Sequence, residues 1–308
     1  LARGEARAAG RLISLVEDGS PALRQVMARL AGITPAYVVG LTGAPGVGKS
    51  TTTSALVAAF RRRGQRVGVL AVDPSSPFSG GALLGDRIRM HEHATDEGVF
   101  IRSMASRGHL GGLSWATPQA LRVLSGLGCD VVLVETVGVG QAEVEVASLA
   151  DTTLVLLAPG MGDGIQAAKA GVLEIADLLV VNKADRDGAA TVARDVRRVV
   201  GQSREVPVLL TVASRDEGIE EVVDAIAAHR AALVASGELD RRRHRRAVAE
   251  VEALALAALR ERIGDLAGDG ALDRLAGGVA TGSLDPYAAA DRLLEVLTRG
   301  GGPAGSAG

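Results

Sequence analysis

The chain has 308 residues, 31.4 kDa, a net charge of −2 and a pI near 6.3, which argues against a dedicated nucleic-acid binder. No apolar run approaches the roughly 20 residues of a membrane span, and the first residues do not read as a signal peptide. The lone cysteine, Cys129, lies in apolar sequence and is expected to be an inert core thiol in a cytosolic protein; the chain begins at Leu1 rather than Met, so residues preceding it are expected.

Residues 1 to 34 carry two apolar stripes at helical spacing, Leu12, Ile13, Leu15 and Val16, then Leu23, Val26, Met27 and Leu30, split by Gly19-Ser20-Pro21. They predict two short helices on a core domain. From 35 to 236, Val- and Leu-rich segments near 37–42, 67–73, 99–102, 130–135, 153–158, 178–182 and 207–211 alternate with helical stretches. Strands apolar on both faces belong in a buried parallel sheet, so the fold class is α/β: doubly wound and mostly parallel, with helices on both faces and ligands at the carboxyl ends of the strands. A helix over about 218–235 closes this domain. Residues 237–299 read as a helical arm: one long helix from Asp240 to Leu266 with apolar Val248, Val251, Leu254, Leu256 and Leu259, then helices at 271–276 and 286–298. Such an arm is expected to bury its apolar face against a second copy of the chain. The tail 300–308 should be disordered. The basic run from Arg241 to Arg246 reads as a solvated helix face, since acidic residues balance it and no aromatic residue interleaves.

Directly after the first strand stands Gly43-Ala44-Pro45-Gly46-Val47-Gly48-Lys49-Ser50, followed by Thr51. This satisfies G-x-x-x-x-G-K-[ST] in the order strand, glycine turn, helix that a phosphate cradle requires. The glycines let successive N–H groups face an anion, and the helix start adds its positive dipole end. Lys49 is expected to reach the β- and γ-phosphates and Ser50 to ligate Mg²⁺.

Asn182-Lys183-Ala184-Asp185 closes a later strand and matches the N-K-x-D of guanine-nucleotide binders. The Asp185 carboxylate can accept from the ring N–H and the exocyclic amine of guanine together; adenine lacks both donors there, and the unpaired carboxylate would cost on the order of 1–3 kcal/mol or more. GTP should therefore be preferred over ATP. Asn182 is expected on the base, Lys183 along its ring, and Val212-Ala213-Ser214 at the guanine keto oxygen. Glu135, two residues before a glycine-containing run that holds Gly138, ends the fourth strand and resembles a segment that holds Mg²⁺ and senses the γ-phosphate through the Gly138 N–H. Asp73 and Asp86 are further candidates for the octahedral oxygen shell of Mg²⁺, directly or through water; an Asp-Pro turn at Asp73 and a helix cap or surface pair at Asp86 are the rival explanations.

Only three of the 34 basic residues are lysine: Lys49, Lys169 and Lys183. A retained lysine points to a site that needs a compact ammonium, and that brings in Lys169, for which an ordinary exposed helix lysine is the alternative.

Taken together, GAPGVGKS, VDPSS, GGALLGDRIRM, RSMASRGHLGGLS, ETVGVGQAE, the stretch Pro159 to Gly171 and NKAD resemble the MeaB/ArgK-type G proteins. The resemblance spans residues 1 to about 298. It implies a homodimeric, cytoplasmic GTPase that binds GTP and GDP with Mg²⁺ and serves adenosylcobalamin-dependent acyl-CoA mutases, such as methylmalonyl-CoA mutase, by gating cobalamin loading and protecting or reactivating the mutase; no nucleic-acid or membrane partner is implied. It puts the metal acids on Asp73, Asp86 and Glu135 and makes 159–171, with Lys169, a further nucleotide-dependent switch. Gln141 lies three residues after Gly138 rather than next to it, so the water-positioning role of signalling GTPases does not transfer to it. Arg107, in the glycine-rich run from Arg107 to Gly112, is a further candidate for approaching the phosphates, with structuring of that loop as the alternative. Rival readings are a metal-delivery GTPase, which would need more soft or imidazole ligands than Cys129, His91 and His93 offer, a kinase-like ATPase tied to basic amino-acid transport, and a nucleotide-binding scaffold with negligible turnover.

Overall fold

The computed structural model describes residues 5–74, 93, 95–106, 116–136, 142–160, 171–201, 205–268 and 270–299. Asp86, His91, Arg107, Gly138, Gln141, Lys169 and the tail 300–308 lie outside the described residues, as does the side chain of Asp73. By its contacts the chain divides into two compact units, residues 1–243 and 244–308.

The first unit opens with α1 (Ala6–Glu17) and α2 (Leu23–Leu30), the two helices the N-terminal stripes predict. β1 (Tyr37–Thr42), α3 (Lys49–Arg62), β2 (Val67–Pro74), β3 (Val99–Ser106), α4 (Thr117–Gly126), β4 (Val131–Thr136), α5 (Ala142–Leu149), β5 (Thr152–Leu157), β6 (Leu178–Val181), α6 (Ala189–Val200), β7 (Val208–Leu210) and α7 (Ile219–Ala235) follow. The seven strands form one sheet in the order β3-β2-β4-β1-β5-β6-β7, and every pairing is parallel. The chain runs outward from β1 to β3, returns to β4 beside β1, then crosses to β5 and the far edge. β1 therefore stands at the reversal, where a doubly wound sheet opens a crevice at its carboxyl edge.

Both faces of the sheet are covered. On one, Leu56 and Phe60 of α3 and Ile219, Val222 and Ile226 of α7 pack on Leu41, Leu133, Leu154 and Leu156. On the other, Ile13 and Val16 of α1, Leu124 of α4 and Val146 of α5 cover Val38, Val132 and Val134, while Ala193 and Val196 of α6 cover Val155, Leu179 and Val181. Ala9, Ile13 and Val16 recur one helical face apart and are fully buried; at about 1.5–3 kcal/mol per large aliphatic side chain, α1 is part of the core. Cys129 is buried there as expected, and burial pushes its thiol up to about 12, which suppresses the reactive thiolate.

The amino-terminal edge of the sheet is closed by an ionic network. Asp151, fully buried, accepts from the Val38 N–H at 3.0 Å and pairs with Arg243 at 2.9 Å. Asp177 accepts from the Thr153 N–H at 2.9 Å, takes both terminal nitrogens of Arg242 at 2.9 Å and lies 3.4 Å from His229. His229 in turn meets Thr152, whose hydroxyl also bonds the Tyr37 phenol. Here the reading of the basic run is corrected: Arg242 and Arg243 are not merely solvated, because strand order delivers two acids to the point where α8 (Glu238–Gly268) begins.

The second unit contains the remainder of α8 with α9 (Ala271–Ala280) and α10 (Pro286–Arg299). Asp285 caps α10 by accepting from the N–H groups of Tyr287 and Ala288 at 2.9 and 3.0 Å, as Asp-Pro at a helix start predicts. Val248, Val251, Leu254, Leu256 and Leu259 of α8 are exposed. Among the described residues, no helix is long and apolar enough to cross a membrane.

Asp177→Ala should lower the unfolding free energy by about 2–4 kcal/mol, since it strands Arg242 against the sheet. Asp224→Ala, which removes an acid from a solvated pair with Arg63, should cost under about 1 kcal/mol. Urea denaturation of the two variants makes the comparison.

Candidate nucleotide-binding site

The carboxyl ends of β1, β4, β6 and β7 converge on one pocket. Gly43 follows β1, and its φ of +143° carries the chain across β5 so closely that a Cβ there would stand 2.4 Å from the Leu156 carbonyl oxygen. Gly48 enters α3 in the left-handed region at φ +97°, and its Cβ would fall 2.3 Å from Asn182 Nδ2. Any larger residue at either position displaces backbone or a buried amide.

Lys49 is 8% exposed and folds back over the turn, its ammonium donating to the carbonyls of Gly43 at 2.7 Å and Ala44 at 3.2 Å. The turn is thus wrapped round a compact cation, with the first N–H groups of the 14-residue α3 beside it, a combination suited to an anion. Ser50 and the exposed Thr51 open that helix.

Glu135 reaches the same place from β4. It is 3% exposed, and its Oε1 accepts from the Ser50 hydroxyl at 2.8 Å while its Oε2 accepts from the Thr53 hydroxyl at 2.8 Å. The β2–β4 register, Ala71 beside Glu135 and Val72 beside Thr136, brings the Asp73 backbone to this strand end. No group of three or more His, Cys, Asp or Glu able to hold a metal occurs among the described residues. His93 bonds Ser54 on α3 at 3.0 Å.

On the far side of the turn, Asn182 is 3% exposed and joins three loops. Its amide donates to the Val47 carbonyl at 2.9 Å and accepts from the Thr211 hydroxyl at 3.2 Å and the Ala213 N–H at 3.1 Å. Lys183, at a left-handed φ of +58°, donates to the Gly46 carbonyl at 2.7 Å. Asp185 stays exposed and lies 3.6 Å from Arg215, the last residue of a single 3-10 turn, Ala213–Arg215, that also carries the exposed Ser214; Val212 precedes the turn and is buried.

The structure therefore gathers residues 43–51, Glu135, Asn182, Lys183, Asp185 and Val212–Ser214 at one edge. Sequence reasoning missed Thr53, Thr211 and Arg215. Thr53 carries a signal in the sequence, a hydroxyl residue one helical turn after Lys49 and Ser50; Thr211 and Arg215 carry none, because their partners come from another strand end.

The sequence profile of the family described as Methylmalonyl Co-A mutase-associated GTPase MeaB matches residues 9–266. The chain belongs to the MeaB family. It is accordingly a P-loop GTPase, a nucleotide-binding hydrolase of GTP. Among MeaB relatives, a protein of Pyrococcus abyssi whose name gives it as a GTPase is 44% identical over 308 residues, 97% of this chain and 95% of its own. The GTPase ArgK of Escherichia coli is 39% identical over 264 residues, 80% of this chain and 79% of its own. The mouse methylmalonic aciduria type A homolog, a mitochondrial protein, is 40% identical over 216 residues, 67% of this chain and 52% of its own. In fold, this MeaB-family chain resembles a crystal structure titled LAO/AO transport system kinase, at a TM-score of 0.69 and 29% identity, over 96% of this chain and 94% of that one.

Asn182→Ala should weaken GDP binding by about 10- to 100-fold, because the turn, the β6 end and the β7 end lose their shared amide. Titration calorimetry reads the loss.

Proposed function

We propose that this chain is a Mg²⁺-dependent GTPase chaperone of an adenosylcobalamin-dependent acyl-CoA mutase of the methylmalonyl-CoA mutase type, which gates cofactor loading and protects or reactivates the mutase. The observation that carries the reading is the family match over residues 9–266, whose description names the mutase; the mouse relative's name points to the same metabolism.

In this reading the backbone of Gly43, Ala44, Pro45, Gly46, Val47 and Gly48, with Lys49, Ser50 and Thr51, cradles the phosphates. Lys49 carries charge to the β- and γ-phosphates. Asp185 reads the guanine N–H groups, Lys183 lies along the ring, Asn182 braces the base pocket, and the turn at Val212–Ser214 meets the keto oxygen. Ser50 and Glu135 fit magnesium: the Ser50 proton is committed to Glu135, so its lone pairs remain for an octahedral cation that keeps several waters and phosphate oxygens as ligands. When bound, the cation neutralises charge that develops on the phosphates. Asp73 and Asp86 supply further oxygens, Gly138 senses the γ-phosphate, Gln141 and Arg107 are the candidates for assisting hydrolysis, and Lys169 is the candidate for relaying nucleotide state. The exposed aliphatic residues of α8 support a homodimer, and the proposed setting is the cytoplasm.

The kinase reading attached to the structural relative's title needs a site for a phosphoryl acceptor and an adenine-tolerant pocket; a carboxylate at Asp185 favours guanine. Asp185→Asn should lower GTP affinity by roughly 100-fold and make xanthosine triphosphate the better ligand, because the amide now donates to the oxygen that replaces the exocyclic amine. Unchanged selectivity in competition binding refutes the base assignment.

The mutase link is tested by adding purified methylmalonyl-CoA mutase to the full chain and following phosphate release. Hydrolysis alone should be slow, on the order of 10⁻⁴ to 10⁻² s⁻¹, and should rise about tenfold or more with the mutase, by the standard of partner-assisted GTPases. Lys49→Ala should abolish hydrolysis in both conditions. A rate indifferent to every acyl-CoA mutase offered removes the chaperone reading and leaves the GTPase.

A further inference from the structure

We infer that Thr53 is the positioning residue of the metal-binding acid Glu135, a role that rests on the magnesium reading above. Glu135 is a buried carboxylate near the end of β4, 3% exposed. A glutamate has one more rotatable bond than an aspartate, so aiming one of its oxygens at a cation requires the other to be held. The structure holds it: Thr53 Oγ1 lies 2.8 Å from Oε2 while Ser50 Oγ lies 2.8 Å from Oε1.

The two hydroxyls have different capacities. Ser50 opens α3 beside the glycine turn, and after giving its single proton to Oε1 it still offers lone pairs to a cation. Thr53 is one turn further along the same face of the helix, fully buried, and stands away from the turn that would receive phosphates. Its single proton has two acceptors in range, Oε2 at 2.8 Å and the Lys49 carbonyl at 3.0 Å. The carboxylate is the stronger of these because the bond is charge-assisted. The Lys49 carbonyl is also within reach of ordinary helical hydrogen bonding, so the proton is not needed there. Thr53 therefore contributes orientation to the acid and no contact of its own to metal or nucleotide.

Outer partners that orient metal ligands typically affect metal affinity by about 10- to 100-fold, and that defines the test. The affinity of the full chain for a fluorescent GDP analogue is titrated with magnesium, and the metal-free affinity is measured separately. Thr53→Val keeps the shape and removes the donor; it should raise the magnesium midpoint about tenfold or more and leave metal-free affinity within about twofold. Thr53→Ser, which restores the hydroxyl, should return the midpoint to within about threefold of wild type. Thr53→Ala, smaller and without the hydroxyl, should shift the midpoint as Thr53→Val does, and serves if valine prevents folding.

An unshifted midpoint in the valine and alanine variants, with a normal wild-type response, overturns the Thr53 inference alone. So does an equal loss of affinity with and without magnesium, or a serine variant as impaired as valine, since either makes Thr53 a packing residue. A wild-type chain whose GDP affinity ignores magnesium overturns the magnesium reading and this inference together.

Discussion

The amide of Asn182 is the contact through which the pocket becomes one object. Val47 in the glycine turn lies 135 residues earlier in the chain, and Thr211 and Ala213 follow the last strand, yet one buried side chain bonds all three. A buried amide must satisfy its donors and acceptor or lose the hydration it gave up. Once β6 ends at Val181, the amide can do so only if the turn after β1 and the loop after β7 stand where they do. Gly48 completes the constraint from the other side, since only the absence of a Cβ leaves room for Asn182 Nδ2.

The same strands are held at both ends. β5 and β6 present Asp151 and Asp177 just before their first residues, and these acids grip Arg243 and Arg242. At their carboxyl ends the two strands supply the Leu156 carbonyl that the Gly43 turn skirts and the Asn182 amide. Aliphatic packing fills the interval between the poles on both faces. A sheet clamped below and packed along its length presents a rigid upper edge, which suits a site where phosphate and base contacts must be preformed.

Much of this was legible beforehand because it is local. The seven strands stand where Val- and Leu-rich runs put them, and the Asp-Pro start of α10 is where the residue types require it. The glycine turn, Lys49 and the string from Asn182 to Asp185 could be read as chemistry, because spacing within a few residues determines which backbone groups face one way. Reading stopped where a residue has two possible partners. For Asn182 the base was the legible partner, whereas the bonds its amide also makes to Val47, Thr211 and Ala213 come from segments far away in the sequence. Arg242 and Arg243 looked like solvent-facing members of a basic run, because nothing nearby in the sequence reveals that Asp151 and Asp177 arrive beneath them.

By itself, the sequence determined the alternation of strand and helix, the glycine turn between β1 and α3 and the guanine-type string at the end of β6, all of which depend on backbone conformation over fewer than about ten residues. Only the tertiary structure decided that Glu135 would be gripped by Ser50 and Thr53, that Asn182 would join three loops and that two arginines would close the base of the sheet. Those partners are set by strand order. That order follows from burying both faces of the sheet at once, a condition on the whole chain that no local pattern records.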